Sequence, residues 1–128
     1  MSVQVKPSHR SSNEGAVLTK ATIRAADKLE VSQKVLAAII GVSESVVSRM
    51  RNGSFALERA SGKSFELAAL FIRLYRSLDA IVGGDEAVAK AWLKNENTIL
   101  QRRPIDLIQK VQGLIDVIQY LDARRAPI

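Results

Sequence analysis

An all-α fold is the class that the sequence predicts, and three observations carry it. From Ala16 onward, apolar residues recur at three- and four-residue spacing rather than in alternation, which is the period of a helix and not of a strand. Serine or aspartate stands ahead of several of these apolar runs, and glycine follows them, where helices start and stop. No segment reads as a strand, an internal repeat or a low-complexity tract.

The elements follow in order. Residues 1–15 are polar and rich in breakers (Pro7, Ser8, Ser11, Ser12, Asn13, Gly15) and predict a flexible arm. Val17, Ile23 and Leu29 mark a first helix from Ala16 to about Glu30. Ser32 can cap a second, Gln33 to Ile40, whose apolar contacts are Val35, Leu36, Ala37, Ile39 and Ile40; Gly41 then supplies a left-handed stop. Ser43 can cap a third helix, Glu44 to Arg51, ended by Asn52-Gly53. Residues 54–63, with Ser54, Ser61 and Gly62, predict a boundary between domains at 16–63 and 64–128. Ser64 can cap a long helix to about Val82, with Leu67, Phe71, Leu74, Tyr75, Leu78 and Ile81 on one face. Gly83-Gly84 ends it, and Asp85 opens a helix through Trp92 to Lys94. Residues 95–103 predict a loop, Pro104 suits the first turn of a sixth helix, and Gly113 breaks the pattern before a last helix from Leu114 to about Arg124.

Composition narrows the function. The chain has 128 residues, one ordinary domain or two very small ones, and 47% are hydrophobic, enough for a core. No cysteine is present, which excludes disulfides, thiolate zinc sites and a cysteine nucleophile, and suits a reducing cytoplasm. The longest uncharged stretch is Val35–Ser43, nine residues, against roughly 20 for a spanning helix, so no membrane role is expected. The N-terminus lacks the apolar region of a secretory signal. The only histidine, His9, lies in the polar arm, so no nucleophile, base and orienter can be assembled. Asp85 and Glu86 open a helix, where acids belong by dipole, and with Asp79 they form no metal cluster. Trp92 and Tyr75 read as core or interface aromatics. The expectation is a protein that is not an enzyme and takes no cofactor, metal or small-molecule substrate.

Charge is uneven. The net is +6, and residues 1–64 hold ten Lys and Arg against five Asp and Glu, whereas residues 65–128 hold nine against eight. A basic first half suits a polyanion. Within it, Gln33, Ala37, Gly41, Val47 and Met50 keep the spacing of a helix-turn-helix, and the segment resembles the Xre-type, phage-repressor-like family. The helical wheel puts Val46, Val47 and Met50 toward the core and Glu44, Ser45, Ser48 and Arg49 outward, to enter a major groove. Gln33, Ser43, Glu44, Ser45, Ser48, Arg49, Arg51 and Asn52 are the candidate DNA contacts. Arg49 is the side chain able to make a bidentate bond to guanine, while Arg51, Arg59 and Lys63 suit phosphates.

The second half is unusually apolar. Ile105, Leu107, Ile108 and Val111, then Leu114, Ile115, Val117, Ile118, Tyr120 and Leu121, exceed one narrow stripe. A chain this short has little core to take them, so a homodimer is expected, with Phe71, Leu74, Leu78, Ile118 and Leu121 at its interface. Trp92-Leu93 ahead of Asn95 and Asn97, then Leu100, Pro104, Leu107, Gly113, Val117 and Leu121, resemble the C-terminal toxin-binding domain of the Xre/MbcA/ParS antitoxins. With the helix-turn-helix, the resemblance covers about residues 30–125. It implies a type II antitoxin that binds the operator of its own operon and neutralises a RES-domain toxin, an enzyme that destroys NAD⁺. Candidate toxin contacts are Trp92, Asn95, Asn97, Arg102, Arg103, Arg124 and Arg125. The last two are expected on a projecting end, since Pro127 cannot continue a helix. A stand-alone phage-type repressor without a toxin partner is the alternative.

Overall fold

The computed structural model describes the backbone of residues 7–125 and the side chains of residues 13–125. Its helices are α1 (Pro7–Leu29), α2 (Gln33–Ile40), α3 (Glu44–Asn52), α4 (Lys63–Ile81), α5 (Glu86–Lys94), α6 (Pro104–Leu107) and α7 (Val111–Arg125), with a 3₁₀ turn at Arg59–Ser61. No strand occurs among the described residues; Asn97 and Arg102 form an isolated antiparallel bridge. None of these helices is long and apolar enough to cross a membrane.

Local chemistry sets most boundaries. Ser32, Ser43 and Asp85 each accept a bond from the backbone N–H three residues on, at 3.2 Å in every case. Gly41 (φ 74°) and Gly53 (φ 87°) end α2 and α3 in the left-handed region that β-carbon-bearing residues avoid. Ser64 does not cap α4. Gly62 redirects the chain after the 3₁₀ turn, and the helix begins at Lys63 without a side-chain cap.

Two glycines that resemble breakers are helical residues at close crossings. Residues 7–15 belong to α1 and are not a flexible arm; residues 1–6 lie outside the described residues. A Cβ on Gly15 would lie 1.9 Å from the Leu57 carbonyl oxygen. Thr19, one turn later, donates to the Gly15 carbonyl at 2.7 Å and accepts from Leu57 N at 2.9 Å, and Glu14 pairs with Arg59 at 2.7 Å. The polar start of α1 is thus held by the segment that follows α3, which local sequence cannot reveal. Gly113 likewise sits in the first turn of α7, where a Cβ would meet the Leu107 carbonyl oxygen at 2.0 Å. Val17, expected on the buried stripe of α1, is 65% exposed, whereas Leu29 is buried as expected, together with Thr19, Thr22, Ala25 and Ala26.

A single cluster of buried apolar side chains runs from Ala25 to Leu121. Helix α4 lies at its centre, against α1 and α2 on the one hand and α7 on the other. Lys90 donates to the Glu30 carboxylate and Lys94 to its carbonyl, both at 2.9 Å, fastening α5 to the end of α1. The apolar surplus of the second half is consumed here. Phe71, Leu74, Leu78, Ile118 and Leu121, expected at a dimer interface, are all 3% exposed or less within one protomer, covered by the chain's own core. The physical reason is that α4 and α7 offer each other wide apolar faces, and a helix shared between both halves gives a short chain one larger core.

Candidate functional site

The α2–α3 unit presents a continuous polar face. Val47 and Met50 are buried and Val46 is half-buried, which turns Glu44, Ser45, Ser48, Arg49 and Asn52 outward. Several of the candidate DNA contacts also shape this unit. Gln33 Nε2 donates to the Glu44 carbonyl at 3.3 Å, joining the starts of the two helices. Ser43 caps α3 and shares a hydrogen bond with Ser45 at 3.0 Å between their hydroxyls. Asn52 accepts from Ser54 N at 2.9 Å and closes the turn after α3.

The arginines divide. Arg49 is exposed and its guanidinium lies over the Phe55 ring, 5.6 Å from the centroid. Arg51 is turned back onto α1, where one Nη makes bonds of 3.0 and 3.1 Å to the two Asp27 carboxylate oxygens. Arg59 is engaged with Glu14, whose carboxyl it holds below the usual range chiefly by hydrogen bonding. Two of the three expected phosphate clamps are therefore occupied, whereas the third, Lys63, is exposed at the start of α4. Sequence spacing had no means of pairing Arg51 with Asp27, 24 residues away.

On the opposite half, α4, α5, α7 and the loop 95–103 enclose an open groove of about 580 Å³. Its exposed apolar walls are Ile81 (40%), Val88 (48%) and Ile99 (68%). Trp92 stacks on Tyr120 with centroids 6.2 Å apart and planes at 17°. Arg124 continues the stack: its guanidinium is 5.0 Å from the Tyr120 centroid, and Nε donates to the phenol oxygen at 2.8 Å. Burial alone pushes the Tyr120 phenol up, but bonds from Arg124 and Asn97 outweigh it and hold the phenol below its ordinary value. Asn97 Oδ1 also accepts from Ile99 N and Leu100 N, at 2.8 and 2.9 Å, which shapes the loop that presents Ile99.

The groove unites Trp92, Asn97 and Arg124 from the expected toxin contacts. Asn95 lines a smaller adjoining hollow of about 270 Å³ with Trp92 and Asn97. Arg102 is exposed, with its carbonyl in the bridge to Asn97. Arg103 points elsewhere: it forms a two-pronged pair with Asp106, both bonds 2.9 Å, beside a different hollow bordered by Glu30 and Lys94. Arg124 and Arg125 do not stand on a projecting end. They form the last turn of α7, and Arg125 donates to Ser77 at 3.1 Å. Ser77 in turn donates to Asp122 at 2.8 Å; this bond, together with Arg73, keeps that carboxyl below its usual range. Residues 126–128, on which the projecting-peptide expectation falls, lie outside the described residues. Ile81, Val88 and Ile99 were not singled out as contacts from sequence, although an apolar pair inside the polar run 95–103 was the available signal for Ile99.

No curated protein matches the chain. Two family models do. Residues 77–126 match the antitoxin Xre/MbcA/ParS C-terminal toxin-binding domain, and residues 9–73 match the antitoxin Xre-like helix-turn-helix domain. The matches meet inside α4, the helix that both halves share. The polar face of α3 is covered by the first-half match and the aromatic groove falls within the second, and the chain belongs to the family of Xre-like helix-turn-helix antitoxins.

Proposed function

We infer that this antitoxin represses its own operon through the outward face of α3 and neutralises a RES-domain toxin through the groove at Trp92, Ile99, Tyr120 and Arg124. The observation that carries this reading is the presence, in one continuously packed chain, of a polar helix face ready for a major groove and an apolar groove left open to solvent. Binding alone accounts for both roles, and the chain works in the cytoplasm beside its operon. Helix-turn-helix proteins read paired half-sites as dimers. The homodimer remains part of the proposal, with a contact surface outside the five buried residues first assigned to it.

Two substitutions test the two roles. Arg49→Ala removes the long donor side chain of the α3 face, and a lost bidentate base contact is worth about 1–3 kcal/mol, or about 5- to 150-fold in affinity. Titration of a duplex from upstream of the operon at fixed salt should show that loss together with relaxed base preference. Unchanged affinity would overturn the groove assignment. Ile99→Asp puts a carboxylate on a 68% exposed side chain, so the fold should be indifferent to it. Co-expressed with the adjacent toxin gene, this variant should fail to co-purify the toxin and should leave cells depleted of NAD⁺, while still shifting the operator duplex. Full protection by the Ile99→Asp chain would move neutralisation away from the groove.

A further inference from the structure

Phe55 follows α3 by three residues and is neither wholly core nor wholly surface: it is half-buried, packed against the hydrophobic cluster. Its position is set by Arg49 itself. The Arg49 carbonyl accepts from Gly53 N at the helix end, from Ser54 N at 2.9 Å and from Phe55 N at 3.2 Å. This knot turns the chain back along α3 and lays the Phe55 ring under the Arg49 guanidinium, 5.6 Å from centroid to Cζ. Two residues on, Leu57 is anchored in the notch that Gly15 and Thr19 form on α1, so the turn carrying the ring is held at both ends.

Arginine loses much rotamer freedom when it reaches a base edge, and a guanidinium already resting on an aromatic face loses less. We propose that Phe55 is a positioning residue for Arg49, holding the guanidinium in the orientation from which it reads its base. The inference rests on the operator-binding reading and deepens it: base preference at the Arg49 position depends on a residue that lies outside α3, in the turn that follows it. Phe55→Leu keeps an apolar side chain against the core but removes the ring quadrupole. Phe55→Tyr keeps the ring.

The test is selection from a pool of duplexes with randomised cores, using the full chain and its Arg49→Ala, Phe55→Leu and Phe55→Tyr variants, with melting temperature and salt dependence measured alongside. Phe55→Leu should weaken discrimination about two- to fivefold at the same base position that Arg49→Ala flattens. Its salt slope should be unchanged, because phosphate contacts are untouched. Phe55→Tyr should restore the discrimination. If Arg49→Ala flattens a position and Phe55→Leu keeps full preference there, Phe55 serves only the core and the inference falls alone. Loss across all positions with a lower melting temperature in Phe55→Leu, not restored in Phe55→Tyr, likewise makes it a packing residue. If Arg49→Ala changes no preference, the operator reading itself fails, and this inference with it.

Discussion

Ile118→Asp is expected to leave the chain unfolded, not folded and monomeric. Ile118 is 3% exposed on α7, which lies along α4 in the part of the core that contains Phe71, Leu74, Leu78 and Leu121. The substitution removes a buried aliphatic side chain and places a carboxylate among the apolar side chains of the core. An uncompensated buried charge alone costs about 3–5 kcal/mol, and loss of the aliphatic packing adds to that. Folded domains have only about 5–15 kcal/mol in hand. Far-UV circular dichroism and light scattering on the purified variant would read the outcome. A helical chain with a mass of 14.0 kDa would mean that Ile118 contacts a second subunit, and the placement of α7 against α4 would be wrong.

Gly15→Ala should destabilise the protein although it improves the intrinsic helix propensity of α1. Alanine in place of glycine in a helix interior gains about 1 kcal/mol. Against this, the new Cβ would fall 1.9 Å from the Leu57 carbonyl oxygen, a backbone atom in a segment that Thr19 also holds. Forcing extra volume into such a contact costs about 1–3 kcal/mol, and losing the bond from Leu57 N to Thr19 costs about 1 kcal/mol more. The net loss of about 1–3 kcal/mol should lower the melting temperature by several degrees. Operator affinity should fall too, because residues 55–57 join the notch on α1 to the ring beneath Arg49. Differential scanning calorimetry decides: were residues 1–15 a flexible arm, the substitution would leave the melting temperature unchanged or raise it.

The candidate DNA face was largely legible in the sequence. Ser32 and Ser43 cap their helices, Gly41 turns the chain, and Val47 and Met50 face inward, as their spacing predicts. The roles of its arginines were not legible. Arg49 and Arg51 are neighbours of like charge, yet one rests on Phe55 and the other is bound to Asp27. The groove was half legible: Trp92, Asn97 and Arg124 were identified, but the walls formed by Ile81, Val88 and Ile99 come from three separate segments that only the fold assembles.

The sequence by itself determined the helical class, the order of the helices and most of their ends. Those features depend on interactions within about one turn: a cap reaching three residues ahead, a glycine taking a positive φ, an apolar residue recurring on one face. Tertiary structure alone decided where the apolar surplus went, what Gly15 and Gly113 were for, and which charges remained available. Leu57 meets Thr19 across 38 residues and Lys90 meets Glu30 across 60, and burial depends on such distant partners. An apolar helix face must be covered, but its pattern is the same whether the cover is another helix of the chain or a second subunit. Here α4 covered α7, and that choice moved the expected dimer contacts into the core.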